Sequence, residues 1–452
     1  MQGFSSIYAD FVVSTRYDDL EPEVIGQAKK LILDLMGVSL AGYKLMEFPR
    51  MVVSYMSGIG GTPEATIIQT RKKFPAVNAA LANAACAHAV DMDDGHRFAA
   101  LHPGTVIIPA ALAATELSGA STKQMITGIV VGYEVMIRIG MAINPSSLNR
   151  GFHSTGIIGP FGASAAAANI MSLTHEETVG AFGLAGLQAS GLIQVNHEIE
   201  GAKTKPINPA KAAMSGILSC MLAQKGAQGP LHIFEGEDGF LKAVTDEVKS
   251  DLLTRNLGRE FEICNVYLKL YAACRHAHAS IDAVLEAFSK SHIGTEEIEK
   301  ISIETYPAAI RLAGITNVTT PSAGRFSIPF SVALALIKQG AEADKYSEEN
   351  VRDQAIQSLS GKVQLSVGSK WEKQYPEKRG ATVCIADKNN NRLSSEVELA
   401  KGEPENPASW EEIYKKFYAN ATLLVSEKDA KKLDDTIMNL ERSSLNEFIK
   451  LI

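Results

Sequence analysis

The chain carries five cysteines in 452 residues, at 86, 220, 264, 274 and 384, and none of them forms a Cys-x-x-Cys pair. That scatter argues against a disulfide framework and a cysteine-rich zinc site, and it points to a reducing compartment. A basic block is missing too: 44 Lys and Arg against 51 Asp and Glu leave a net charge of −7. Nucleic acid and anionic membranes are therefore not expected as partners. The opening MQGFSSIYADFVVS has no basic stretch followed by an apolar core, so no signal peptide is expected and the protein is read as cytoplasmic. The most apolar long run, Met125 to Ile143, contains Glu134 and Arg138 and reads as a buried helix rather than a membrane span.

Cofactor signatures are absent as well. No GxxxxGK[ST], HExxH or GxSxG occurs, and SGIGG at 57–61 lacks the third glycine of a dinucleotide loop and reads as a turn. His276-x-His278 offers two metal ligands without a third at a telling distance. The expectation is no metal and no organic cofactor. What remains is acid, base and cation chemistry from side chains alone.

A chain of this length exceeds what one core organises, so two domains are expected. Up to about residue 260 the pattern is helical. In PEVIGQAKKLILDLMGVSLAGY, Val24, Ala28, Leu31, Leu35 and Val38 recur at the spacing of one buried helix face. Further helices are predicted over 76–90, 105–118, 122–142, 156–171, 177–192 and 209–225. Their Ala and Gly content lets backbones approach closely, as in a bundle with buried central helices. Near residue 266 the character changes. EKISIETY alternates in strand fashion, and GATVCIAD and RLSSEVEL flank DKNNN as a hairpin. Helices are expected between them at 278–290, 325–339 and 346–359. Ser409 to Glu412 then matches a capping box opening the last helices. The expected fold is mainly α. An all-helical domain spans 1–265 and 400–452, and a smaller α+β domain at 266–399 is inserted before the C-terminal helices.

Four polar knots interrupt this apolar chain. HAVDMDDGHRFAALHPG at 88–104 holds Asp91, Asp93, Asp94, His96 and His102 between two helices made to be buried. RGFHSTGIIGPFG places His153 before a Gly-rich helix. GAKTKPINPAKAAMSG carries Lys203, Lys205 and Lys211, and YLKLYAACRHAHASID carries Lys269, Arg275, His276 and His278. Taken singly, an Asp at a helix end is a cap, a lone His is a satisfied core residue, and three lysines are a solvated loop. Together, a cavity gathering these cations and histidines suits an anionic substrate.

These same segments, HAVDMDD with LHPG, FHSTGIIGPFGA, TKPINPAKAAMSG and LKLYAACRHAH, resemble the serial motifs of the MmgE/PrpD family, and the likeness extends to GRFSIPFSVALAL and KGEPENP. The family includes 2-methylcitrate dehydratase, cis-aconitate decarboxylase and iminodisuccinate epimerase. The resemblance implies a helical domain closed by an α+β lid, a homodimer, and catalysis without metal or cofactor. It implies catalytic roles for Asp91, His102, His153 and Lys205, and substrate binding by Lys269 and His278. His96 and Phe330 stand at or beside positions where the family pattern differs, and both join the substrate-binding candidates. Gly95, Asn208, Phe330 and Cys274 depart from the family's Thr, His, Tyr and (in animal decarboxylases) His.

The expected function is a cofactor-independent lyase acting on a tricarboxylic acid by proton transfer next to a carboxylate, cis-aconitate decarboxylase-like or 2-methylcitrate dehydratase-like. Lys205 and His153 are expected to stabilise the carboxylate and developing charge, with His102 as general acid/base held in its tautomer by Asp91. The alternatives are a dicarboxylate epimerase and a non-catalytic carboxylate-binding protein. The missing hydroxyl at Phe330 and imidazole at Asn208 lead to the expectation of an unsaturated rather than a hydroxylated substrate.

Overall fold

Helical periodicity dominates the first two hundred residues of the sequence, and helices occupy them. The computed structural model describes residues 3–196, 198, 203–290, 293–389 and 391–451. Two units divide the chain. One comprises Met1–Ala89, Asp93–Val266 and Phe417–Ile452, and the other Val90–Met92 and Tyr267–Lys416.

In the first unit, the helices that carry the site are α1 (Pro22–Leu45), α2 (Ala76–Ala87), α3 (Gly104–Ser118), α4 (Thr122–Ile143), α5 (Ser154–Ile170), α6 (His175–Gly186) and α7 (Ile207–Ala223). Every residue of α5 is buried, so it has no polar face and serves as the hub against which α3, α4, α6 and α7 pack. Small side chains make that possible. A methyl group on Gly132 of α4 would come within 2.9 Å of the Gly162 carbonyl of α5, so the two helices meet nearly backbone to backbone.

Helix α4 is long and apolar enough to cross a membrane, yet 94% of its apolar window is buried inside the protein. Glu134 and Arg138 within it pair with each other: Arg138 Nε lies 2.5 Å from Glu134 Oε1, and both side chains are buried. Arg138 also donates to the carbonyls of Arg255 and Glu260, and the second Glu134 oxygen accepts the Glu262 N–H at 2.7 Å. Burial still pushes the Glu134 carboxyl up to about 7, with Arg138 opposing it.

The second unit is built on a four-stranded sheet of β1 (Ile298–Thr305), β2 (Val363–Val367), β3 (Ala381–Asp387) and β4 (Arg392–Val397), in the order β2-β1-β3-β4. β1 pairs antiparallel with β3 (Ile301 opposite Ile385) and parallel with β2 (Ile301 opposite Val363). Alternate residues Ala381, Val383 and Ile385 of β3 are buried, and helix α8 (His278–Ser289) packs on β3 and β4. The expected hairpin forms around Asp387, whose carboxylate accepts the N–H groups of Asn389 and Asn391; Asn390 lies outside the described residues.

Two predicted helices break in this unit. The segment 325–339 restarts at Ser327, whose hydroxyl caps the Phe330 N–H of α9 (Ile328–Lys338). The segment 346–359 divides at Asp353, which caps Ala355. The expected boundary at 399/400 also moves. Lys401 N–H bonds Asp282, and Arg275 binds the carbonyls of Ala400 and Lys401, so residues 400–416 belong to the second unit. The dividing point then falls inside helix α10 (Trp410–Ala421), opened by the Ser409–Glu412 capping box.

Candidate active site

The polar stretch after α2 is a tight reversal between two buried helices. Asp91 sits at φ +52, a left-handed conformation that costs a non-glycine residue roughly 1–2 kcal/mol and that Asp tolerates better than most. Asp94 caps α3: its Oδ1 accepts the Gly104 N–H at 2.9 Å and its Oδ2 accepts the Tyr133 hydroxyl at 2.7 Å. The fit requires glycine at 104, where a methyl group would lie 2.6 Å from the Tyr133 oxygen and 2.7 Å from Asp94. Burial pushes the Asp94 carboxyl up to about 8, against the bonds from Tyr133 and Gly104.

Three imidazoles gather beside this reversal. The His88 ring lies 4.9 Å from that of His102 and 6.4 Å from that of His153. Their tautomers follow from their partners. A carbonyl oxygen can only accept, so His102 Nδ1, 2.7 Å from the Asp94 carbonyl, carries a proton and leaves Nε2 as the basic nitrogen. His153 is the reverse. It is the N-cap of α5, its Nδ1 accepts the Gly156 N–H at 3.3 Å, and so its Nε2 is the N–H donor. His88 Nδ1 lies 2.7 Å from Asp93 Oδ2, with both side chains fully buried, and the same oxygen is 3.5 Å from His102 Nδ1. His88 Nε2 has no hydrogen-bond partner among the described residues.

The Asp94 carbonyl orients His102 through Nδ1, with the Asp93 carboxylate 3.5 Å from the same nitrogen. His96, expected at the substrate, is occupied elsewhere: Nδ1 accepts the Ala99 N–H and Nε2 faces Glu262 at 3.5 Å. Burial works against the Glu262 carboxylate, but the bond from His96 prevails and holds it below its usual range.

Helix N-termini furnish the surroundings. The His102 N–H donates to Thr155 Oγ1 at 3.0 Å, joining the starts of α3 and α5, and a methyl on Gly156 would touch Asn208 at 3.2 Å, which brings in the start of α7. Three N-terminal helix ends aim partial positive charge at one region, a setting that favours an anion. Lys205 is buried in the turn leading into α7. Lys203 is more exposed, and Lys211 donates to the Gln188 carbonyl and Ser190 hydroxyl.

The second unit holds the other predicted residues. Lys269 is fully buried and donates to the Asp91 carbonyl at 2.9 Å, with Asp91 Oδ1 at 3.3 Å. Those contacts occupy two of its three ammonium hydrogens. His278 is used up within the protein: Nε2 donates to the Ala273 carbonyl, Nδ1 accepts from Arg275, and burial keeps the ring neutral. It supports Arg275, whose Nε and Nη2 bind Glu403 at 3.0 and 2.9 Å, and has no donor left for a substrate carboxylate. His276 bonds the Tyr306 hydroxyl at 2.7 Å, so the two histidines form no metal-ligand pair. Phe330 is a core residue packed on Gly324 and Tyr346, and the absence of a hydroxyl there says nothing about the substrate.

His88, Tyr133 and the separate duties of Asp93 and Asp94 were not singled out from the sequence. His88 stood in the conspicuous stretch, directly after the Ala-rich helix α2, and no role was assigned to it.

Residues 7–252 match the MmgE/PrpD N-terminal domain and residues 271–442 the MmgE/PrpD C-terminal domain. Over 97% of its length the chain is 26% identical to cis-aconitate decarboxylase of Aspergillus terreus, covering 94% of that protein. It is 22% identical to cis-aconitate decarboxylase of Homo sapiens, over 98% of this chain and 92% of that one. To 2-methylcitrate dehydratase of Escherichia coli O157:H7 it is 24% identical over 58% of this chain and 55% of that protein.

Proposed function

The chain belongs to the MmgE/PrpD family, and from that premise we propose a cofactor-independent lyase that acts on a tricarboxylic acid, first as a decarboxylase of a cis-aconitate-like substrate. Lyase activity is common to the decarboxylase and dehydratase relatives. Decarboxylation is favoured because the decarboxylases align along nearly the whole chain and the dehydratase over 58% of it.

The observation that carries the reading is the opposed pair of tautomers. His102 offers a basic Nε2 and His153 an Nε2–H, beside three helix N-termini suited to carboxylates. In the proposed reaction the bond to a departing carboxylate breaks and CO2 leaves. The electron pair shifts through the adjacent double bond, and the carbon at its far end takes a proton. His102 delivers that proton from its doubly protonated form, and His153 and Lys205 hold the negative charge that builds up. Neutral His102 would instead remove a proton next to a carboxylate, as dehydration or epimerisation needs. The form of His102 required at turnover thus separates the reactions. A homodimer belongs to the proposal, and analytical ultracentrifugation tests it.

The deciding experiment incubates the protein with cis-aconitate, 2-methylcitrate, citrate and iminodisuccinate in deuterated buffer and follows products by NMR. CO2 release from cis-aconitate with one deuterium fixed in the product is expected. Dehydration of 2-methylcitrate with cis-aconitate untouched would replace the first choice. Neither product nor isotope from any of the four would leave a binding protein.

A further inference from the structure

Among the described residues the second unit buries Arg275 and Arg325, and they are treated differently. Arg275 is saturated: Glu403 neutralises it, and the Ala400 and Lys401 carbonyls and His278 take further bonds. Arg325 is 2% exposed, less than Arg275, yet among the described residues its Nε and Nη1 have no hydrogen-bond partner. Its one bond runs from Nη2 to the Ala343 carbonyl at a long 3.4 Å. The guanidinium lies 5.2 Å from the centre of the Tyr346 ring, and the Tyr346 hydroxyl is turned to Ser331.

The residue cannot escape by shedding its charge. Burial lowers it to about 10, with Tyr346 and Asp91 opposing, so it remains a cation at neutral pH. The acid whose charge acts on it, Asp91, also pairs with Lys269. Asp91 thus faces two cations, Lys269 and Arg325. A buried guanidinium with open donors is costly, and each such group calls for an explanation by function.

We propose that Arg325 is a further substrate-binding residue, whose open donors take one carboxylate of the polycarboxylate. The inference rests on the substrate class proposed above. A carboxylate supplies both missing things, a counter-charge and acceptors for charge-assisted hydrogen bonds. In the free protein the guanidinium is a liability, and replacing such a group with an apolar side chain of similar size is neutral or stabilising.

The test compares wild type, Arg325→Met and Arg325→Lys, using tricarballylate, a saturated tricarboxylate with no double bond and no hydroxyl to lose, as the probe. Calorimetry should show tricarballylate affinity falling at least about tenfold in Arg325→Met and less in Arg325→Lys, which keeps the charge. The melting temperature of unliganded Arg325→Met should equal or exceed that of wild type. Unchanged tricarballylate affinity overturns the proposal. So does a clear fall in the melting temperature of unliganded Arg325→Met, because the guanidinium would then be held by the protein itself. A wild type that binds neither tricarballylate nor cis-aconitate defeats the substrate reading instead; the anion site is then judged with inorganic sulfate, whose binding Arg325→Met must abolish if the site exists.

Discussion

Asp93 lies 2.7 Å from His88 and, through the same carboxylate oxygen, 3.5 Å from His102. One buried charge thus serves two imidazoles, and the histidine that binds it more closely influences how much of it the other feels. His88 also caps the C-terminus of α2, the end at which a helix favours positive charge.

This sharing predicts a contrast between two substitutions. Asn at 88 can keep a donor where Nδ1 stands; Leu cannot. In His88→Leu, Asp93 binds a proton more readily and its field on His102 weakens. A histidine losing a nearby anion becomes harder to protonate. The limb of the pH–rate profile set by His102 should therefore move down by about one unit, while His88→Asn keeps the wild-type profile. Equal losses of rate in both variants with no movement of the limb would mean that His88 acts through Nε2 or only supports the fold.

His102→Ala, His153→Ala and Lys205→Ala should each lower turnover by roughly a hundredfold or more, with melting curves showing a folded protein. Lys203→Ala should leave turnover near wild type. Lys211→Met should act mainly on stability, since Lys211 ties the start of α7 to residues 188–190. Loss of activity on changing Lys203 but not Lys205 would assign the cation of this turn to the wrong lysine.

Asp94 predicts the sign of a stability change with pH. Its folded-state carboxyl is raised from 3.8 to about 8, so between those values the folded protein binds the proton more tightly than the unfolded chain. Its contribution to stability is fully present below about 4 and is lost as pH rises through about 8. Asp94→Asn removes this dependence. Melting temperatures from pH 5 to pH 9 should decline less steeply in the variant, and parallel curves for the two proteins would show that Asp94 is ionised throughout.

Turnover should survive removal of metal. The chemistry proposed needs only protons and fixed positive charge, which His102, His153, Lys205 and three helix ends supply. Prolonged dialysis against a strong chelator should leave kcat within about twofold of the untreated enzyme. An activity abolished by chelation and restored by one divalent ion would replace this mechanism.

The helices were legible because apolar residues recur at helical spacing, and the β3–β4 hairpin because its strands alternate around a polar turn. The breaks at Ser327 and Asp353 were not, since the apolar pattern runs on across both while a side chain caps a new start. β2 was missed although VQLSV alternates apolar and polar residues, because it is five residues long and none of them is buried. In the site, the 88–104 stretch stood out by its charge, but a D-x-D-D pattern does not say which carboxylate faces which histidine. The fold decides it: the left-handed Asp91 pairs with Lys269, Asp93 Oδ2 lies beside His88 and His102, and the Asp94 carboxylate caps α3. His278 and Phe330 were misplaced for a related reason: spacing locates a residue on an element but not the neighbours that occupy it.

The insertion of the second unit has a consequence for synthesis. The first unit is completed by residues 417–452: Phe417 packs against Gly37 of α1, and Lys29 bonds the Met438 carbonyl. On the ribosome, 267–416 must emerge between the bulk of that unit and the helices that close it, a wait of roughly ten to thirty seconds at ordinary elongation rates. During it the face of α1 around Gly37 lacks its cover. Nascent chains halted before Phe417 should accordingly engage chaperones and resist release as soluble protein, and a fragment ending at Lys416 should aggregate although it contains every residue assigned to the chemistry.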